Sequence, residues 1–314
     1  SDCRDAIAPD APRVHRHASN NVVAEFRTEF GDCHAAFANA AHVFNLSLKQ
    51  HRGSGHPIEG RGIVIEFDAA NDGLTAWSST QGAHRVRNSL VDIFGLDETR
   101  VRAATPDVGG GFGSKHIVYP EEVIAAGAAL LHRCSVKWIE DRREHFLAAI
   151  QERDQYWDVE VATDTEGHLM GIRGSMIHDQ GAYTLLGFNV PHNASLAVPG
   201  PYVLPNYQLD VTIATTNRVG TIPVRGAGYP EGTFTMERIM DLVADELGMG
   251  RDEVRRRNLI SADMIPYELP LRARDGSTTQ YESGDYPACL QKALDGSDFA
   301  NFPERQAQAR NEGR

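Results

Sequence analysis

Asp107-Val108-Gly109-Gly110-Gly111-Phe112-Gly113-Ser114-Lys115 is the stretch around which the chain organises itself. Glycine lacks a Cβ, accepts positive φ and lets another group approach the main chain closely. A run of bare N–H groups in such a turn makes a concavity for anions or oxo groups. The flanks are ordered: Thr99–Thr105 reads as a strand running into the loop, and Glu121–His132 as a helix leaving it. A glycine-rich loop held between ordered elements points to something bound there rather than to a free surface loop.

The loop is neither of the common nucleotide motifs. A phosphate loop needs Gly-x4-Gly-Lys-Ser/Thr; here Ser114 stands for the second glycine and His116 for the hydroxyl residue. Gly109, Gly111 and Ser114 satisfy two of three positions of Gly-x-Gly-x-x-Gly, and no acidic residue follows at a strand end about twenty residues on. A stand-alone nucleotide-binding enzyme is therefore the weakest of the readings.

Composition narrows the classes. The chain has 314 residues, 41% hydrophobic and 24% charged, ordinary for a globular protein with a substantial core. Its net charge of −12 argues against a nucleic-acid partner, which calls for a basic face. No apolar run reaches the roughly 18 residues of a membrane span, and the polar Ser1-Asp2-Cys3-Arg4 is no secretory signal; the expectation is a cytoplasmic protein. Cys3, Cys33, Cys134 and Cys289 are far apart, so free thiols are expected, not an iron–sulfur cluster or structural zinc in this chain.

Hairpin signals outnumber strand–helix–strand units. The expected fold is α+β, with mixed, mostly antiparallel sheets and helices packed on them. Strands are expected at 21–30, 43–49, 61–68, 74–79, 135–140, 156–163, 168–178 and 207–215. Helices are expected at 31–43 (capped by Asp32), 83–94, 232–247, 251–258 and 287–294. Residues 1–20 read as a lead segment, 21–302 as the domain, and 303–314 as a polar, frayed tail. The region from Asp179 to Asn206 reads as one long irregular stretch, of the kind that carries function in compact domains.

Three further positions draw attention. His51 and His56 share a loop with Glu59, but no third ligand follows at zinc spacing, so a polar segment beside a site is favoured. Gln81 ends a strand ahead of Gly82, placed to point into a cleft. Arg225 lies in Pro223-Val224-Arg225-Gly226-Ala227-Gly228, where its planar fork suits a phosphate or other anion, or else a carboxylate of its own chain.

Taken together, Thr80-Gln81, the DVGGGFGSK loop and Val224-Arg225-Gly226-Ala227-Gly228 resemble the molybdenum-cofactor-binding large subunit of the xanthine dehydrogenase family, in the branch with the carbon monoxide dehydrogenases. Gly55-His56-Pro57-Ile58-Glu59, Val136–Arg142, Asp179–Tyr183 and Tyr281–Tyr286 support the resemblance, which runs over about residues 20–302. It implies a molybdenum ion on a pyranopterin, here a cytosine dinucleotide, with no direct protein ligand. By the same resemblance Gln81 reaches an oxo ligand, Gly110, Gly111, Phe112 and Gly113 form the loop against the metal and pterin, and Arg225 lies beside the cofactor. The implied reaction is hydroxylation of a small molecule with water as oxygen source, electrons leaving through 2Fe-2S clusters and FAD on partner subunits.

His116, Gly226 and Ala227 fall at substrate-pocket positions of that family. Gly226 replaces the cysteine of the carbon monoxide dehydrogenases, which argues against CO oxidation. His116 and Ala227 replace the glutamate and phenylalanine that handle xanthine, which points to another heteroaromatic or an aldehyde. Family large subunits are more than twice this long, and the half with the catalytic glutamate is not matched. Either the sequence is a fragment or, the favoured expectation, the subunit is split and a partner chain carries that half; no catalytic base is assignable here. The competing reading is a non-catalytic scaffold subunit that binds partners and no metal.

Overall fold

The computed structural model describes residues 2–273 and 275–314. In chain order the elements are α1 (Cys3–Ala6), β1 (Val22–Phe30), α2 (Cys33–Ala38), β2 (His42–Gln50), β3 (Gly62–Asp68), β4 (Gly73–Ser78), α3 (Ala83–Phe94), β5 (Val101–Ala104), α4 (Pro120–His132), β6 (Val136–Ile139), α5 (Arg142–Ala148), β7 (Gln155–Thr163), β8 (Leu169–Gly181), α6 (Asn189–Ala197), β9 (Tyr207–Thr215), α7 (Tyr229–Leu247), α8 (Arg251–Asn258), β10 (Tyr267–Arg272), β11 (Thr278–Tyr281), α9 (Tyr286–Gly296) and α10 (Phe302–Asn311).

The larger layer is a five-stranded sheet in the order β1-β9-β8-β7-β2. Its pairs are antiparallel except β8 with β9, which run parallel. Period-2 patterning decides its faces. Tyr207, Leu209, Val211 and Ile213 of β9 are buried, while Gln208, Asp210 and Thr212 between them are not. The buried face packs on α7, whose Met236, Ile239, Met240 and Val243 recur at helical spacing and are almost fully buried. Helix α6 lies against the start of α7 so closely that a Cβ on Gly232 would sit 2.7 Å from that of Ala197.

The smaller layer is a four-stranded sheet, β5-β4-β3-β6, with only β4 and β5 parallel. It carries its own core: Ile63, Ile65, Leu74 and Ala76 from the strands meet Val86 and Leu90 of α3 and Ala125, Ala126 and Ala129 of α4. The fold is thus α+β with mixed, mostly antiparallel sheets and helices on them, as the hairpin-rich sequence implies.

Several elements depart from the sequence expectation. Helix α2 stops at Ala38, although Asp32 does cap it through the N–H of Ala35. The 179–206 stretch begins as the end of β8, contains α6, and is irregular only between and after these two. Helix α5 and the β10–β11 hairpin were not expected. The tail is helical from Phe302 to Asn311, with no buried residue, rather than frayed. In the lead segment, Cys3 is buried against Tyr156 and Ala214, which ties that segment to the larger sheet.

Candidate functional site

Three loops from different elements meet at one open cavity of about 800 Å³. The end of β4 brings Thr80 and Gln81. The link between β5 and α4 brings Val108, Gly110, Gly111, Phe112, Gly113 and His116. The approach to α7 brings Pro223, Val224, Arg225, Gly226 and Ala227. Every residue expected at the cofactor or the substrate pocket therefore lines one cavity, at the junction of the two sheet layers.

The loops are tied to each other through backbone groups. The N–H of Arg225 donates to the Phe112 carbonyl at 2.8 Å, and the N–H of Gln81 donates to the Lys115 carbonyl at 2.9 Å. Below them the N–H of Ile222 donates to the carbonyl of Gln151 at 2.9 Å, which anchors the approach to Arg225. The glycines are required by this crossing. Gly113 has φ +110°, and a Cβ there would run into the Pro223 carbonyl and stand 2.8 Å from the Cα of Val224. Gly111 has no room either: a Cβ would lie 2.6 Å from Oε1 of Gln81.

The amide of Gln81 has a defined orientation. Its Oε1 accepts the N–H of Gly113 at 2.9 Å, so Nε2 is left as a donor with no acceptor among the described residues. The N–H groups of Gly110, Gly111 and Phe112 likewise find no protein acceptor among the described residues. Phe112 holds φ +54° and its ring is half exposed. The guanidinium of Arg225 has no carboxylate partner among the described residues, so the self-paired alternative is not what is seen. None of the described residues lining the cavity is Asp or Glu.

A tie that sequence reasoning did not anticipate fixes the glycine loop. Lys115 has a fully buried side chain whose Nζ donates to Oε2 of Glu59 at 2.6 Å and to Oγ of Ser79 at 2.7 Å. The same Glu59 oxygen accepts the N–H of Gly109 at 2.8 Å and the hydroxyl of Ser79 at 2.8 Å. Burial pushes the Glu59 carboxyl up, and these hydrogen bonds outweigh it, leaving the group below the usual carboxylate range. Glu59 and Lys115 are 56 positions apart, so no local spacing announces the pair. The neighbouring His56 makes no metal cluster. Its ring packs on His145 and Phe146, and no group of three or more His, Cys, Asp or Glu among the described residues could hold a metal.

On the opposite side, Arg85 of α3 donates from Nη2 to Nε2 of His116 at 3.0 Å. Burial first, and the Arg85 charge second, hold the His116 imidazole below its ordinary value, which favours the neutral ring. Arg85 too was not singled out by sequence. It sits in the first turn of α3, with nothing local to link it to the glycine loop.

The site is thus a donor-rich, anion-seeking cradle of the kind that holds a flat, polyanionic cofactor by backbone and amide groups. The sequence matches the molybdopterin cofactor-binding domain family over residues 14–259. It is 33% identical to the 6-hydroxypseudooxynicotine dehydrogenase complex subunit gamma of Paenarthrobacter nicotinovorans, across 94% of this chain and 37% of that one. It is 31% identical to the carbon monoxide dehydrogenase large chain of Hydrogenophaga pseudoflava, across 98% of this chain and 40% of that one. The fold superposes on quinoline 2-oxidoreductase from Pseudomonas putida 86 with a TM-score of 0.88 and 28% identity, covering 98% of this chain and 39% of that one. The chain belongs to the molybdopterin cofactor-binding domain family, in the xanthine dehydrogenase family of molybdenum oxidoreductases. It spans about two fifths of the length of these relatives. No helix among the described residues is long and apolar enough to cross a membrane.

Proposed function

We propose that this chain is the first cofactor-binding half of a molybdenum hydroxylase large subunit, the unit running over residues 21–302. The observation that carries the reading is the convergence of the free Gln81 Nε2, the free N–H groups of Gly110 to Phe112 and the unpaired Arg225 guanidinium on one carboxylate-free cavity. That donor set fits a molybdenum–pterin group, whose oxo and phosphate edges are acceptors.

In this reading Gln81 Nε2 donates to an oxo ligand of the metal. Gly110, Gly111, Phe112 and Gly113 lay bare backbone against the metal and pterin, and Arg225 takes an anionic edge of the cofactor. No side chain of this chain ligates the metal. When bound, the molybdenum cofactor supplies the two-electron oxidation of a substrate carbon and activates water as the oxygen source. The chain's own residues orient that group and shape the substrate pocket at His116, Gly226 and Ala227.

The substrate class is an N-heteroaromatic or an aldehyde. Quinoline in the name of one structural neighbour and the nicotine-derived name of one relative support the heteroaromatic side. The pterin is a cytosine dinucleotide, and the partners are a chain with the second cofactor-binding half, a 2Fe-2S subunit and a FAD subunit, in the cytoplasm. Substitution of Gln81 by leucine tests the assignment. Cofactor content falls in the assembled protein while the secondary structure by circular dichroism is kept. Full molybdenum and pterin content in that variant would refute the role of the amide.

A further inference from the structure

His116 lines the cavity with one ring nitrogen already engaged, by Nη2 of Arg85 at 3.0 Å. A guanidinium only donates, so Nε2 of His116 must accept, and the ring proton is confined to Nδ1. A neutral imidazole left to itself is free to choose either tautomer. Arg85 removes the choice. Among the described residues no other charged side chain is hydrogen-bonded or paired to the ring: Arg85 meets it from α3, and Arg225, on the approach to α7, is the one Asp, Glu, Lys or Arg among the described residues lining the cavity.

We infer that Arg85 is a positioning residue that locks His116 as an Nδ1–H donor, so that this half of the pocket selects substrates presenting an acceptor edge. The cavity is lined by His116, whose one ring proton then sits on Nδ1, and by Arg225, with no Asp or Glu among the described lining residues to receive a donor. A carboxylate, a carbonyl or a ring-nitrogen lone pair finds partners there. A protonated amine or amidinium meets the like charge of Arg225 and no carboxylate among the described lining residues, and its burial there is unfavourable. The half-exposed Phe112 ring supplies an apolar face for the aromatic body. The selectivity rests on the hydroxylase reading above, whereas the tautomer does not.

Two measurements test the two parts. In the full chain labelled with ¹⁵N-histidine, long-range proton–nitrogen spectra report the tautomer of His116. The expected result is protonated Nδ1 in the parent and in Arg85→Lys, which keeps a donor, with a shift toward protonated Nε2 in Arg85→Met. Protonated Nε2 in the parent, or no change in Arg85→Met, overturns the lock. In the assembled holoenzyme, benzoate and benzamidinium are planar isosteres of opposite hydrogen-bonding sense. Benzoate is expected to bind at least about tenfold tighter, and His116→Glu to shift the ratio by about a hundredfold toward benzamidinium. Equal binding of the two overturns the selectivity. An assembly that carries no molybdenum refutes the hydroxylase reading while the histidine spectra still decide the lock.

Discussion

A methyl group at position 111 would meet Oε1 of Gln81 at 2.6 Å, and one at position 113 would press on the backbone of Val224 at 2.8 Å. These two substitutions separate function from stability. Gly111→Ala pushes on the end of a partly exposed side chain, so the fold survives and the amide moves. Cofactor content of the assembled protein is expected to drop at least about tenfold with little change in Tm. Gly113→Ala forces a positive φ onto alanine against rigid backbone and is expected to lose about 1–3 kcal/mol of stability. Denaturant titration of both variants checks the contrast, and equal stability of the two would remove the argument. A third residue gives a pH signature. Glu231 is almost fully buried, its Oε2 has no partner among the described residues, and its Oε1 lies 3.5 Å from Nε of Arg153. Burial raises its carboxyl above the usual range, the Arg153 charge working against it. A carboxyl raised on folding binds its proton more tightly in the folded state. Its favourable contribution is complete below the unfolded value and is lost as pH rises through the folded one. Glu231→Gln is therefore expected to gain stability over the parent at pH 8 relative to pH 4.5, by about 2–4 °C in Tm for each kcal/mol. A Tm difference that is the same at both pH values contradicts the assignment.

At the scale of elements, the glycine loop is held by one buried ammonium. Lys115→Met removes the donor that joins Glu59, Ser79 and the loop, leaving a carboxylate that is partly exposed and so tolerates the loss better than a sealed one. The expected cost is about 1–3 kcal/mol, together with faster exchange of the bonded amides of Gly109, Gly113, Ser114 and His116 and unchanged protection in α3 and β4. Unchanged exchange in the loop would show that Lys115 does not hold it. What the sequence disclosed at this scale follows from locality. The glycine loop, Gln81 and Arg225 were legible because each chemistry sits in a few consecutive residues. The Glu59–Lys115 and Arg85–His116 pairs join residues distant in sequence, and only packing reveals them. Helix α5 did carry a local signal: Asp141 accepts the N–H of Glu144 at 2.7 Å while Glu144 accepts that of Asp141 at 2.8 Å, a capping box readable as Asp-x-x-Glu. Helix α6 carried almost none. It opens as Asn189-Val190-Pro191, and burial of Val190 and Ala194 beside α7, rather than propensity, makes it helical. The α+β class was legible because the alternating strands and hairpin turns are themselves local patterns.

At the scale of the molecule, two cores meet under one open site. Leu90 anchors the smaller layer and Ile239 the larger, both fully buried. Leu90→Ala and Ile239→Ala are each expected to cost about 2–5 kcal/mol. Because the three site loops bridge the layers, either variant is expected to weaken cofactor retention although neither residue touches the cavity, which parallel stability and cofactor assays would check. The cavity is open, and Phe112 on its wall is 45% exposed. The central claim is that this cradle holds a molybdenum–pterin group. The most direct measurement is the molybdenum and pterin content of the native assembly, purified gently and with its co-purifying chains identified. The account predicts about one molybdenum and one pterin per copy of this chain, alongside a chain bearing the second half of the site. An intact assembly containing neither would contradict it and leave a scaffold subunit, with the free amide of Gln81 and the unpaired Arg225 in need of another partner.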